Sequence, residues 1–290
     1  MLKIGVFNFK FLKQRKGEIE MKNKNRMIML FVVSVLCFVS LTGCVKETVS
    51  NVDSYEKIEE KGYVVMGMDD TFAPMGFRDE KGELVGFDVD LAKEVFQRAG
   101  FEVKFQPIDW SMKETELNSG NIDVIWNGYS INDERKEKVA FTQAYLKNKQ
   151  IIMTLADSDI NSKADLEGKK VAVQNGSSTL EAINKEPEVV ATFEGGEPVL
   201  FDTNHEAIMD LEAGRANAVV SDEVLARYYI KQKNPEDYKI LEEDFGEEEY
   251  GIGLRKGDKK LLELMNKTLD EMREDGSYDE IYEKWFEGNN

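Results

Sequence analysis

The segment Trp126–Lys136 places an amide (Asn127), a glycine (Gly128), a hydroxyl (Ser130) and a guanidinium (Arg135) in quick succession. Backbone N–H groups at a helix start attract anions, and a guanidinium grips a carboxylate through two parallel hydrogen bonds. Carboxylate binding is therefore the chemistry this stretch is equipped for. A plain strand–turn–helix join with a surface Arg would use the same residues, so local chemistry leaves both readings open. The elements that would position the groups are legible. Asp123-Val124-Ile125-Trp126 is an apolar strand that runs into an Asn-Gly turn, and Asn132 is placed to cap a short helix carrying Asp133 and Glu134 in its first turn.

The flanking chain repeats one grammar. Strands are expected at Tyr63–Met68, Leu84–Phe87, Phe101–Phe105 and Asn121–Trp126, with helices at Asp88–Gly100 and Ser111–Gly120 between them. Asp69–Met75 reads as a loop, because Pro74 and the acidic pair Asp69 and Asp70 interrupt the strand. A second alternation runs through strands Lys149–Thr154, Lys169–Gln174, Val199–Phe201 and Ala216–Ser221. Its helices follow Asn175–Thr179, span His205–Gly214, and start at Asp222. Pro187–Gly196 reads as an acidic loop. Tyr238–Leu241 and Tyr250–Leu254 read as separate strands, and Lys259–Arg273 and Tyr278–Phe286 as helices. Alternating strands and helices argue for mostly parallel α/β sheets, whose ligand sites lie beyond the carboxyl ends of strands. Asp69–Phe72 and Asn127–Arg135 both follow strands.

The N-terminus has its own signature. Met21–Arg26 is basic, Met27–Leu41 is an apolar run too short to span a bilayer comfortably, and Leu41-Thr42-Gly43-Cys44 follows. This is the pattern of a secretory signal peptide, with Met1–Glu20 as an upstream extension and residues 44–51 as a tether. The chain has two cysteines. Cys37 lies in the apolar run, so a body beginning at Cys44 has no second thiol for a disulfide. Residues 1–43 hold 8 basic and 2 acidic side chains; the remainder holds 30 basic and 54 acidic, a net charge of −24. That balance argues against a nucleic-acid partner and against a broad footprint on an anionic membrane surface.

Leu41-Thr42-Gly43-Cys44 resembles the bacterial lipobox, in which the Cys is lipidated. Further along, Ala73-Pro74 before Gly86-Phe87-Asp88-Val89-Asp90-Leu91, the strand leading to Arg135, Gly176-Ser177-Ser178, Ser221-Asp222-Glu223 and the ending Gly276–Phe286 are similar in combination to one family. It is the polar amino-acid-binding proteins of bacterial ABC importers, and the resemblance covers about Gly62–Phe286. It implies a two-lobed, periplasmic-binding-protein-like (type II) α/β fold with two hinge strands, near Lys147–Thr154 and Glu249–Leu254. Lobe 1 would comprise residues 52–146 and 251–290, and lobe 2 residues 147–250. The resemblance also implies a site. Arg135 would hold the ligand α-carboxylate, helped by Ser130, the backbone at Gly128, and Ser178 from the second lobe. Asp222 would take the α-ammonium. Phe72 and Trp110 would flank the aliphatic part, Asp69 would lie near the side chain or ammonium, and Asn127 would face the same pocket. The implied partners are a polar amino acid, an ABC permease–ATPase complex, and the membrane through a lipid on Cys44, at the extracytoplasmic face. No cofactor or metal is implied.

Each residue has a plainer reading. Asp222 would serve as a helix N-cap, Phe72 and Trp110 as core, and the sole histidine, His205, as a surface residue. Glu242–Asp244 and Glu247–Glu249 would form a solvated charged face. Two other function classes compete. A small dehydratase-like enzyme on the same fold would need an acid/base set, and the sequence offers neither a Ser/His/acid nor a Cys/His arrangement, nor an evident working pair of carboxylates. A receptor sensor domain would be expected to lead into a membrane-spanning segment, which the residues up to Asn290 do not contain.

Overall fold

A computed structural model describes residues 53–287. The readings made on residues 1–51, including the signal peptide, the tether and Cys44, lie outside the described residues.

The first lobe opens with α1 (Tyr55–Lys61) and β1 (Tyr63–Met68). Asp69–Met75, expected as a loop, instead contributes β2 (Thr71–Phe72). With β3 (Gly76–Arg78) and β4 (Leu84–Val85) it forms a small antiparallel sheet. Thr71 pairs with Phe77 and Phe72 with Gly76, so the hairpin partner supplies an order that local composition did not. Next come α2 (Phe87–Arg98), β5 (Glu102–Pro107), α3 (Lys113–Ser119), β6 (Val124–Ile125), α4 (Asp133–Lys138) and β7 (Ala140–Phe141). The apolar residues Val89, Leu91, Ala92, Val95 and Phe96 of α2 are fully buried, as their helical spacing requires.

A long strand, β8 (Leu146–Leu155), leads into the second lobe. There β9 (Val171–Gln174), α5 (Ser178–Ile183), α6 (Pro187–Val190), β10 (Val199–Phe201), α7 (Asn204–Glu212), β11 (Ala218–Asp222) and α8 (Glu223–Gln232) follow in order. The acidic stretch expected as a loop thus holds α6, started by a proline at its first turn. The chain returns through β12 (Tyr238–Tyr250) to β13 (Gly253–Leu254), α9 (Lys259–Asp275) and α10 (Ser277–Tyr282).

Two five-stranded sheets result, in the orders β5-β1-β6-β13-β7 and β10-β9-β11-β8-β12. The β5-β1-β6 and β10-β9-β11 runs are parallel; β13 and β8 join them antiparallel. Alternate residues of the second sheet enter different cores. Ile151, Met153, Ala172 and Val219 belong to one apolar cluster, whereas Ile152, Val171, Val173, Ala218 and Val220 belong to another. A strand buried on both faces reads as a continuous apolar run, which is why these strands were visible in sequence.

The largest departure is β12. The acidic run Glu242–Glu249, expected as a solvated face between two strands, is the middle of one strand, broken only by bulges. Glutamate is a poor strand former, but Glu247 stands opposite Lys149 and Glu249 opposite Lys147 on β8. Opposite charges across an antiparallel pair stabilise it by about 0.2–1 kcal/mol each. The partner strand, not local propensity, sets the conformation.

Candidate functional site

The carboxyl ends of strands from both sheets meet at one place. Asp69 follows β1, Asn127 and Gly128 follow β6, Gln174 ends β9 and Asp222 ends β11. All of the candidate ligand-binding residues except Ser130 line one cavity, together with Gln174 and Ser177. Ser130 stands beside it, its Oγ 2.8 Å from Ser178 Oγ.

Arg135 is 1 % exposed. Asn132 caps α4, its side chain accepting from Arg135 N at 2.8 Å, so the helix start sits at the cavity. The guanidinium lies over the Tyr129 ring and donates to Ser130 O (3.2 Å) and Gly176 O (3.5 Å). Its Nε stands 3.4 Å from Glu181 Oε1 without a hydrogen bond. Asn127 uses its Oδ1 to accept from Asp69 N at 3.1 Å, while its Nδ2 has no partner among the described residues. A buried donor without a partner costs about 1–3 kcal/mol, so these two nitrogens favour an acceptor in the cavity. Lys113 adds a second buried cation that donates to Gly176 O at 2.9 Å. Burial, and then the Arg135 charge, push its ammonium down to about 8.

The N–H of Gly128, expected to help hold a carboxylate, donates instead to Asp88 Oδ2 at 2.8 Å. Asp88 is wholly buried and also accepts from Tyr145 Oη at 3.0 Å. The loop is therefore anchored from beneath by the first acid of the Gly86–Leu91 motif. Gly128 itself has φ +58°, and a Cβ there would sit 2.7 Å from Phe72 Cε1 and 3.1 Å from Tyr250. The Phe72 ring takes the space that a side chain there would need. Gly128→Ser is expected to weaken ligand binding roughly 10- to 100-fold, the equivalent of about 1–3 kcal/mol of overpacking and backbone strain. Titration calorimetry checks this, and affinity equal to wild type would show that the Phe72 contact does not constrain the site.

At the far end, Asp69 accepts from Thr71 N (2.9 Å), Thr71 Oγ1 (2.7 Å) and Gln174 Nε2 (2.9 Å). Burial raises its carboxyl above the ordinary range. Phe72 and Trp110 are 5 % and 7 % exposed and form apolar walls. Trp110 also packs edge-on against Tyr129, so it serves core and cavity at once.

Asp222 does not cap α8 with its side chain. Its Oδ1 accepts instead from Tyr250 Oη (2.5 Å), Asn148 Nδ2 (2.6 Å) and Gln150 Nε2 (3.1 Å). Glu248 on β12 accepts from the same two amides, each at 2.7 Å. The fold thus makes the carboxyl pair that sequence spacing did not reveal. Burial first, and the Glu248 charge second, hold the Asp222 carboxyl well above its usual range.

Several contacts cross between residues of the two sheets: Asp69 with Gln174, Ser130 with Ser178, Lys113 with Gly176, and Asn132 Nδ2 with Glu181 Oε2 at 2.5 Å. Gln174, Lys113, Glu181 and Glu248 were missed in the sequence, since only long-range packing brings them here. Asn148 and Gln150 left a signal: uncharged amides alternate with Lys147 and Lys149 at the start of an otherwise apolar strand. His205 is exposed and lies away from the cavity, near the Tyr229 ring.

Residues 64–288 match the family model for bacterial extracellular solute-binding proteins, family 3. The chain is 29% identical over 257 residues to the L-cystine-binding protein TcyJ of Escherichia coli (strain K12), covering 88% of this chain and 94% of that protein. It is 33% identical over 243 residues to the lysine/arginine/ornithine-binding periplasmic protein of the same strain, covering 81% and 91%. Among solved structures, it resembles an ABC uptake transporter substrate binding protein from Streptococcus pneumoniae with bound histidine. The TM-score is 0.79 at 38% identity, over 82% of this chain and 97% of that one.

Proposed function

The chain belongs to the bacterial extracellular solute-binding proteins, family 3, and from that premise we propose that it captures a polar L-amino acid between its lobes and delivers it to an ABC permease. One observation carries the reading. Arg135 on α4 and Asp222 at the end of β11, both more than nine-tenths buried, line one cavity. An amino acid is a zwitterion, and a guanidinium opposite a carboxyl matches its two charges and fixes its orientation. Ser130, Ser178 and Asn127 supply neutral donors beside Arg135, and Phe72 and Trp110 shield the aliphatic part of the ligand from water. Contacts such as Asp69–Gln174 and Ser130–Ser178 join the lobes only when they close, so closure on a ligand would form the site.

The relatives support a polar side chain. Their names give cystine in one case and lysine, arginine and ornithine in another, and the structural neighbour holds histidine. Asp69 presents carboxyl oxygens at the side-chain end, which suits the donors of arginine, glutamine or cystine alike. The lipobox-like Leu41-Thr42-Gly43-Cys44 supports a position at the extracytoplasmic face of the membrane, anchored through lipid on Cys44. Among the described residues no helix is long and apolar enough to cross a membrane. We read the chain as a binding protein rather than a dehydratase-like enzyme or a sensor, since the residues around the cavity suit holding a zwitterion.

A thermal-shift screen of the amino acids tests the proposal. A ligand at 100 times its dissociation constant adds about 2.7 kcal/mol, which for a body of this size corresponds to roughly 5–10 °C in Tm. If no amino acid raises the Tm, the proposal fails; the largest shift names the substrate.

A further inference from the structure

The carboxyl pair on the hinge side of the cavity has a geometry that a single counter-ion does not require. Gln150 Oε1 accepts from Thr179 Oγ1 at 2.5 Å, and Asn148 Oδ1 accepts from Val224 N at 3.3 Å. Both amides therefore turn their NH₂ groups toward the acids. Each NH₂ then bridges the two carboxyls, one hydrogen to Asp222 Oδ1 and one to Glu248 Oε1. The two acids are held as neighbours by shared donors on β8, the strand that leads into the second lobe.

The surrounding charges do not neutralise the pair. On β8, Lys149 reaches Glu223 (4.0 Å) and Asp244 (3.6 Å). Lys147 and Lys149 line an outer groove with Glu247, Glu248 and Glu249 of β12, without an ion pair to Glu248 among the described residues. From β12, Tyr250 donates its hydroxyl to Asp222 and brings no positive charge. Across the cavity stand Arg135, engaged with Ser130 O and Gly176 O, and the acid Asp69. Asp222 is buried and Glu248 half-buried; two such adjacent carboxylates repel, and the more deeply buried Asp222 keeps a proton.

We propose that Glu248 is the second carboxyl of the ammonium subsite: its charge holds a proton on Asp222, and the ammonium of the bound amino acid replaces that proton, which leaves to solvent. One positive charge enters and one departs, so the local charge is conserved. This rests on the amino-acid-binding reading above. Glu248 is a positioning residue, acting through Asp222. The raised Asp222 carboxyl agrees with a proton held there at neutral pH. The sign follows by linkage: releasing a proton on binding makes affinity rise with pH, up to tenfold per pH unit.

The test is calorimetry at pH 6 in two buffers of different ionisation enthalpy, using whichever of L-arginine, L-glutamine and L-cystine the thermal screen selects. At that pH these ligands do not titrate, and Lys113, at about 8, is already charged. Wild type is expected to release close to one proton per ligand and to bind about tenfold more tightly at pH 7 than at pH 6. Glu248→Gln is expected to release less than half a proton and to lose most of that pH dependence. The exposed Glu249→Gln serves as a control that behaves as wild type. Binding by wild type without proton release overturns the inference while leaving the amino-acid reading intact, and so does Glu248→Gln releasing as many protons as wild type. Should Glu248→Gln not bind, the wild-type proton count decides alone. No binding of any amino acid overturns both.

Discussion

Arg135→Ala is expected to abolish measurable amino-acid binding. The guanidinium is buried and bonded to two backbone carbonyls, Ser130 O and Gly176 O, and stacks on Tyr129. It is thus pre-oriented before a carboxylate arrives, and little conformational entropy is lost on binding. Truncating one partner of a buried charge pair costs about 2–5 kcal/mol or more, because the other charge stays buried without a partner. A ligand carboxylate in the same cavity would suffer that loss. The expected drop is roughly two to nearly four orders of magnitude in affinity. Arg135→Lys should fall between the two, since an ammonium offers a point charge but not the two-point grip. Calorimetry measures both variants, with circular dichroism to show that they are folded. Arg135→Ala binding within threefold of wild type would remove the carboxylate role from this residue.

The second large effect concerns stability and pH. Burial raises the Asp88 carboxyl from 3.8 to about 7, against the opposing pull of its bonds from Gly128 N–H and Tyr145 Oη. A carboxyl whose pKa is higher in the folded state binds the proton more tightly there. Its stabilising contribution is complete below the unfolded pKa and is lost as pH rises through the folded value. The window therefore runs from about pH 4 to about pH 8, and the loss across it amounts to roughly 4 kcal/mol at 1.36 kcal/mol per pKa unit. Urea denaturation from pH 4 to pH 8, compared with Asp88→Asn, isolates this contribution. The difference in unfolding free energy between the two proteins should change across that range by several kcal/mol, in the direction of wild type losing ground as pH rises. The amide side chain keeps an acceptor for Gly128 N–H but does not titrate. Parallel pH profiles for the two proteins would show that Asp88 does not titrate in this range. The same residue ties the Gly128 loop to Tyr145, so its protonation state bears on how firmly that side of the cavity is held.

What was legible in the sequence followed from short-range regularities. Strand Tyr63–Met68 and helix Phe87–Arg98 showed their apolar periodicity. Asn132 announced the start of α4 by its capping chemistry. The strand-end loops Asp69–Phe72 and Asn127–Arg135 were legible for a related reason, since such junctions carry recognisable turn and cap residues; Trp110, Ser178 and Asp222 came from the family resemblance. The acidic stretch of β12 and the strand at Thr71–Phe72 were not legible, because their order comes from a pairing partner distant in the chain or across a tight hairpin.

The roles of individual polar groups divide in the same way. Residue type marked Arg135 as a carboxylate partner, since a guanidinium carries its chemistry wherever it sits, and the family resemblance added Asp222 for the ammonium. Whether Asp222 would cap a helix or face a cavity depended on Asn148, Gln150 and Tyr250, which arrive from two other strands. Whether the Gly128 N–H was free depended on Asp88, forty positions earlier. Glu248 became the partner of Asp222 only when β12 was laid against β8. Hydrogen-bond partnership and burial are properties of positions in space. Periodicity and capping are properties of neighbours along the chain, and that difference sets the boundary between what could be read beforehand and what folding had to decide.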